Sequence, residues 1–246
     1  MEYPPLPADS PRKPLIERFL ALLEVLLVSG LISGFFTALL LSPFFGKDIG
    51  LITGSIETLS VFLLLESAIT FFFLFILLRN HGETIGNLGL RTDRWKYHLL
   101  TGLAVVPLLF SIHFAVEFVF RTYLPEYYLE QNPLTEIIKT PQQLAFFTFL
   151  ALFAGGLKEE LQRAFILNRF RRYLGGAGVG LLVWSLAFGA GHYLQGMQGI
   201  VVATLFGLIF GAIYLLSRSM IAPIFAHCVF NLLELLQYYW FVMRQP

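Results

Sequence analysis

Residues 19–46 read FLALLEVLLVSGLISGFFTALLLSPFFG, an apolar run in which Glu24 is the one charged residue. An α-helix needs about 20 residues to cross a hydrocarbon core about 30 Å thick, so this run is long enough to span a membrane. It is also too long for the hydrophobic part of a signal peptide. The residues before it are polar and rich in proline, and they predict a short disordered cytoplasmic tail over 1–18.

Similar apolar runs follow along the rest of the chain. The predicted spans are 19–46, 56–78, 98–120, 143–168, 178–195, 198–217 and 220–242. The composition agrees, because a water-soluble domain could not bury a chain that is 57% hydrophobic and 13% charged, with a mean hydropathy of +0.71. Strands are excluded because an open sheet edge does not survive in lipid. The sequence therefore predicts an all-α, polytopic transmembrane helix bundle with about seven spans, forming a single domain over 19–246.

Charge gives an orientation and excludes one class of partner. The formal net charge of +1 provides no basic surface for nucleic acid. One side of the predicted bundle carries eleven basic residues, namely Arg12, Lys13, Arg18, Arg79, Arg91, Arg94, Lys96, Arg169, Arg171, Arg172 and Arg218. The other side carries four, namely Lys47, Arg121, Lys139 and Arg244. Because Lys and Arg accumulate in short cytoplasmic loops, we expect the amino terminus to lie in the cytoplasm.

The densest cluster of charge within a span lies in the fourth predicted span. There the sequence GGLKEELQRAFIL places Lys158, Glu159, Glu160 and Arg163 together. Arg163 lies three residues after one glutamate and four after the other, so it can pair with either on one helix face. Charge at this depth is costly and indicates either a functional site or a structural ion pair. The acids of two other spans, Glu24 and Glu66, have no functional explanation from the sequence.

Two later spans supply polar groups of the kind that catalyse hydrolysis. The fifth contains Phe188-Gly-Ala-Gly-His192, and the seventh contains His227-Cys-Val-Phe-Asn231, with the histidine and the asparagine on one helix face. Each fragment alone is more often explained by a hydrogen bond between helices than by catalysis. With a rise of about 1.5 Å per residue, Glu159, His192 and His227 lie about 18, 21 and 14 Å from the cytoplasmic side. We therefore expect them to meet near the middle of the bilayer.

These residues resemble a family of intramembrane endopeptidases, the CPBP-type family. The family joins type II CAAX prenyl proteases to bacteriocin-processing and immunity-associated proteins. The resemblance covers roughly residues 85–242 and rests on three motifs, namely Glu159-Glu160 with Arg163, Phe188 with His192, and His227 with Asn231. The common family pattern is EExxxR, whereas this chain reads EExxR, which turns the arginine by about 100° around the helix.

The resemblance implies a role for each of these residues. Glu159 and His192 would activate the attacking water, and His227 and Asn231 would hold the oxyanion of the tetrahedral intermediate. The supporting residues would be Glu160 and Arg163. The implied partners are membrane lipid and a peptide or lipid-modified protein substrate.

Two alternatives remain open at this point. Glu159, His192 and His227 could bind Zn²⁺ with water in the fourth place, although no HExxH motif is present. The chain could also be a non-catalytic membrane scaffold or immunity factor of the same fold. Hydrolysis of a peptide by the purified protein distinguishes the endopeptidase from the scaffold.

Overall fold

The computed structural model describes residues 14–45, 54–90 and 94–244, with the backbone alone for Phe45. Within these ranges the chain is mostly helical and contains no strand, which confirms the all-α class. Most of the predicted tail lies outside the described residues. Four of the basic residues counted for the orientation also lie outside the described residues, namely Arg12, Lys13, Lys47 and Arg91.

Ten α-helices account for most of the described chain. They are α1 (Leu15–Val28), α2 (Leu31–Phe45), α3 (Ile56–Asn80), α4 (Trp95–Tyr123), α5 (Pro133–Glu136), α6 (Pro141–Leu150), α7 (Glu159–Tyr173), α8 (Ala177–Gly191), α9 (Gly196–Ser217) and α10 (Ile221–Tyr238). A π-helical stretch, Ala151–Lys158, joins α6 directly to α7, and a second one, Tyr239–Met243, extends α10. Short 3₁₀ turns lie at Ile85–Leu88, Pro125–Tyr127 and Tyr193–Gln195.

Several helices of the described chain are long and apolar enough to cross a membrane. Four do so individually, namely Ile56–Asn80, Trp95–Tyr123, Tyr193–Ser217 and Ile221–Met243. The pair Leu15–Val28 and Leu31–Phe44 would make a fifth span if counted as one. The chain is therefore an integral membrane protein. The count of seven stays a prediction, because Ala177–Gly191 has only 15 residues and the helix at 141–173 carries the charged motif.

The first predicted span is a bent pair of helices in place of one straight helix. α1 and α2 meet at an angle of 46°. The bend lies at Ser29 and Gly30, and Gly30 has a φ of 90°, in the left-handed region that glycine adopts without steric cost. The first helix also begins at Leu15, before the predicted start at residue 19.

α7 is the central helix of the bundle. Every residue from Glu160 to Phe170 on this helix is buried, polar and apolar alike. It packs against α1, α8 and α9, and the π-helical stretch that precedes it packs against α10. By contrast, α4 exposes large apolar side chains such as Leu100 and Phe118 on its outer face. The charged motif thus lies in the interior, with apolar surface turned toward lipid.

Candidate active site

The helix that carries the two glutamates has a well-defined start and an irregular middle. Thr140 caps it by accepting a hydrogen bond from Gln143 N, and Pro141 occupies the first helical position, where its missing N–H costs nothing. Before Glu159 the helix widens into the π-helical stretch Ala151–Lys158. Such stretches are rare and frequently occur at functional sites, because they displace backbone carbonyls from the regular ladder.

Helix α10 donates hydrogen bonds to two of these carbonyls. Asn231 Nδ2 donates to Ala151 O at 3.2 Å, and Cys228 Sγ donates to Leu152 O at 3.7 Å. The close approach depends on two glycines in the π-helical stretch. A methyl group at Gly155 would lie 2.9 Å from Asn231 Nδ2, and one at Gly156 would collide with the Cys228 sulfur. The π-helical stretch that leads into the first motif is therefore in direct contact with the helix that carries the third.

Glu160 is the fully paired member of the glutamate pair. Its Oε1 accepts hydrogen bonds from Arg163 Nη1 and from His227 Nδ1, the latter at 2.9 Å. Its side chain and that of Arg163 are almost completely buried. A buried carboxylate requires such partners, so Glu160 is already committed to structural contacts.

Glu159 differs from its neighbour in having an oxygen with no hydrogen-bond partner. Among the described residues, no hydrogen-bond donor contacts its buried Oε2. The His227 ring lies nearby, with its Nε2 3.9 Å from that oxygen. His227 thus lies between the two carboxylates, with Nδ1 on Glu160 and Nε2 toward Glu159.

Arg163 connects all three motifs even though it occupies the shifted position of the EExxR pattern. Its guanidinium carbon lies 4.7 Å from the centre of the Phe188 ring and 5.5 Å from that of Phe210. Phe210 in turn stacks on the His227 ring, with the ring centres 4.8 Å apart. In the described part of the chain, Nε and Nη2 of Arg163 have no hydrogen-bond partner, and the aromatic faces contact the cation instead.

His192 lies at the carboxyl end of α8. Its Nδ1 is 2.8 Å from the carbonyl oxygen of Phe188, one turn earlier. In the neutral ring Nδ1 donates to that carbonyl, which leaves Nε2 as a hydrogen-bond acceptor. The Phe188 and His192 rings also contact each other, with their centres 4.6 Å apart.

One cavity of about 1090 Å³ brings four of the sequence-predicted residues together. Glu159, His192, His227 and Asn231 all line it. Glu160 and Arg163 are not among its lining residues and lie behind the wall that the others form.

Polar residues that the sequence left without a role also line the cavity. Glu66 and Lys158 do so and form a buried ion pair. Glu24 lies elsewhere, where it pairs with Arg169 and His81. No local pattern in the sequence indicates these pairs, because the partners are far apart along the chain.

The zinc alternative is not supported by the arrangement of side chains. Over the described ranges, no group of three or more His, Cys, Asp or Glu side chains is arranged to hold a metal ion. Glu159, His192 and His227 share the cavity without forming such a group. The only cysteine, Cys228, is a free thiol on α10 and contacts a backbone carbonyl.

A helical membrane protein with buried carboxylates, imidazoles and an amide on one cavity has the parts of an intramembrane hydrolase. Residues 140–233 match the family model for Rce1-like proteins, described as type II CAAX prenyl endopeptidase Rce1-like. This region contains all three motifs, and the match confirms the resemblance to the CAAX-protease-like family. Comparison with curated proteins and with solved structures gave no match.

Proposed function

We propose that this protein is an intramembrane endopeptidase that hydrolyses a peptide bond near the membrane, with a water molecule activated by Glu159 and His192. The observation that carries the proposal is the difference between the two neighbouring glutamates. Glu160 is paired with Arg163 and His227, whereas the Glu159 side chain is 20% exposed and lines the cavity, and its Oε2 has no hydrogen-bond partner among the described residues. An unpaired carboxylate beside a cavity is the group expected of a general base.

The first step is attack by water on the scissile carbonyl carbon. The Glu159 carboxylate removes a proton from the water while the water oxygen forms the new bond to carbon. His192 accepts a second hydrogen bond from the same water through Nε2, because its Nδ1 is occupied by Phe188 O. The carbonyl π electrons move to oxygen and produce a tetrahedral oxyanion.

In this proposal His227 and Asn231 stabilise that oxyanion. When the His227 ring is protonated, Nδ1–H donates to Glu160, and Nε2–H, which lies 3.9 Å from Glu159 Oε2, is the donor offered to an oxyanion bound beside Glu159. Asn231 has two amide protons, one of which is used by Ala151 O, so the second is available. Donors held rigidly in this way act on charge that develops only in the transition state.

The reaction ends when the carbon–nitrogen bond breaks. The leaving nitrogen takes the proton that Glu159 received from water, and the oxyanion electrons re-form the carbonyl of a carboxylic acid. Water is the only co-reactant, and Glu159 returns to its ionised form. Arg163 and Glu160 hold His227 in the required orientation without touching substrate.

The family match and the position of the site support a proposed substrate class. The site lies among membrane-spanning helices, which favours a segment that is inserted in or anchored to the membrane. The match to type II CAAX prenyl endopeptidases favours the carboxyl end of a lipid-modified protein.

The test is hydrolysis by purified protein in detergent, using peptides with and without a prenyl group near the carboxyl end. We expect wild type to cleave and Glu159→Gln to lose at least about 10³-fold in kcat, since the change keeps the shape and removes the base. Glu126→Gln is the matched control, because Glu126 is exposed and does not line the cavity. Equal cleavage by wild type and Glu159→Gln would refute the role of Glu159. Wild type that cleaves no peptide would favour the scaffold or immunity factor.

A further inference from the structure

A second buried polar cluster lies beside the proposed active site, and its hydrogen bonds join residues outside the three motifs. Lys158 Nζ donates to Glu66 Oε2 at 2.5 Å. Both residues are nearly inaccessible, with 7% of Lys158 and 5% of Glu66 exposed. Glu66 lies outside the region that matches the family model. Lys158 is the last residue of the π-helical stretch and immediately precedes Glu159.

The other oxygen of Glu66 is also fully engaged. Ser33 Oγ donates to Glu66 Oε1 at 2.8 Å, and Thr70 Oγ1 lies 2.9 Å from the same oxygen. The two hydroxyls are themselves 2.9 Å apart. These contacts join α2 and α3 to each other and to the residue that immediately precedes α7.

A further contact holds the same helical turn. Gln162 Nε2 donates to the carbonyl oxygen of Val28 at 2.6 Å, beside the bend between α1 and α2. Lys158 and Gln162 are four residues apart and therefore share one face of the helix. Glu159 lies between them in sequence, so its backbone is anchored from both sides to the layer formed by α1, α2 and α3.

Stability alone does not explain why a charged pair is kept at this depth. Moving two charges out of water costs a large desolvation free energy, which the attraction between them only partly offsets. Replacing such a pair with apolar residues of similar volume often leaves the protein equally stable or more stable. A buried pair that adds little to stability can still act by orienting the groups beside it. The nearest group that needs orientation is the Glu159 carboxylate, because its own Oε2 has no hydrogen-bond partner in the described chain to fix it.

We propose that the buried Lys158–Glu66 ion pair is a positioning device that sets the direction of the Glu159 carboxylate in the cavity. The proposal rests on the function assigned above to Glu159. Lys158 and Glu66 are positioning residues, since they act on the reaction through the backbone at residue 159. A shift of about 1 Å at a catalytic group can reduce the rate about 100-fold, so a small rotation of this turn is enough to matter.

The decisive variant replaces the whole pair, Glu66→Leu with Lys158→Met, so that no unpaired charge is left in the interior. We expect its melting temperature in detergent to stay within a few degrees of wild type. We expect kcat to fall about 100-fold with KM within about threefold, because positioning affects the transition state and not the binding of substrate. Lys158→Arg, which keeps the charge and the reach, should retain most of the wild-type kcat.

The matched single substitutions are Glu66→Gln and Glu24→Gln. Each exchanges an acid that is paired with a buried basic residue for its amide, but Glu24 pairs with Arg169, far along the helix from Glu159. We expect Glu66→Gln to lower kcat about 10-fold or more, and Glu24→Gln to leave it unchanged. Equal losses in the two variants would mean that any buried pair serves equally well, and would overturn the proposal.

The double variant can overturn the proposal in two ways. If Glu66→Leu and Lys158→Met together leave kcat at the wild-type value, the pair does not position the base, while an inactive Glu159→Gln would still uphold the proposed function. If the double variant melts far below wild type, the pair serves stability. If wild type itself cleaves no peptide, the proposed function fails and no base remains for the pair to position.

Discussion

The guanidinium carbon of Arg163 lies 4.7 Å from the centre of the Phe188 ring, so the cation of the first motif rests on the aromatic residue of the second. The same arginine pairs with Glu160, which accepts a hydrogen bond from His227. Three motifs that are separate in the sequence thus form one connected network around a single cation.

The contact gives Phe188 a role that differs from simple core packing. In Phe188→Leu the apolar volume is largely kept, but the aromatic face under Arg163 is lost. A desolvated cation–π contact is worth about 2 kcal/mol, so we expect a lower melting temperature and a reduced kcat. Phe75→Leu, on the exposed face of α3, makes the same exchange as a control. A Phe188→Leu enzyme as stable and as active as the control would show that the ring contributes volume only.

Gly155 should be intolerant of even one methyl group. A Cβ there would lie 2.9 Å from Asn231 Nδ2 and 3.9 Å from His227 Nε2, so the Asn231 amide would have to move from its place in the site. We expect Gly155→Ala to reduce kcat by about 100-fold, the effect of displacing catalytic groups by about 1 Å. Gly178→Ala is the control, since a Cβ on that glycine of α8 meets nothing within 4 Å. Equal turnover of the two variants would mean that α10 adjusts without loss.

The features that the sequence predicted well are those with a local cause. Apolar runs reveal membrane helices, and the charges of α7 are conspicuous against that background. The bend at Gly30 was not predictable, because the residues on both sides of it are apolar and read as one run. The π-helical stretch was also missed. Its displaced carbonyl at Ala151 is stabilised by Asn231, 80 residues further along the chain, and no local pattern contains that information.

The same reasoning explains which site residues were missed. The partner of Glu66 is Lys158, 92 residues away, and both look like isolated charges until the helices are packed. Phe210, which stacks on His227, belongs to no motif and lies in a helix full of apolar residues. His192 and Asn231, which line the cavity, can be singled out from the sequence because a polar side chain in a span is conspicuous by itself.

Asn231 provides a graded test of the oxyanion role. Removing one oxyanion donor costs about 10²–10³ in kcat, so Asn231→Ala should lose activity in that range while KM changes little. Asn231→Ala also deprives Ala151 O of its hydrogen bond, so stability must be measured alongside. If turnover is unchanged while the melting temperature falls, Asn231 is a structural clamp for the π-helical stretch.

The orientation of the chain in the membrane can be tested at two exposed positions. In a Cys228→Ser background, Lys96→Cys lies in the segment predicted to face the cytoplasm and Glu126→Cys in the segment predicted to face outside. A membrane-impermeant maleimide should label the cysteine at 126 in intact cells, and the one at 96 only after the membrane is permeabilised. Labelling of position 96 from outside would reverse the predicted orientation.

Arg163 allows the structural and the catalytic contributions of one residue to be separated. Its loss in Arg163→Leu leaves the buried carboxylate of Glu160 with His227 as its remaining partner, and breaking a buried pair in this way costs about 3–5 kcal/mol. We therefore expect Arg163→Leu to be both unstable and inactive.

Arg163→Lys keeps a positive charge, but a compact ammonium cannot stack on Phe188 and Phe210 as a planar guanidinium does. The lysine variant should accordingly recover more of the melting temperature than of kcat, because the ion pair is kept while the orientation of Glu160 and His227 is not. Melting in detergent and steady-state kinetics on both variants measure the two effects. If Arg163→Leu has the same melting temperature as wild type, the pairing with Glu160 contributes nothing to the stability of the fold. The connected network around Arg163 is then not what holds the site together.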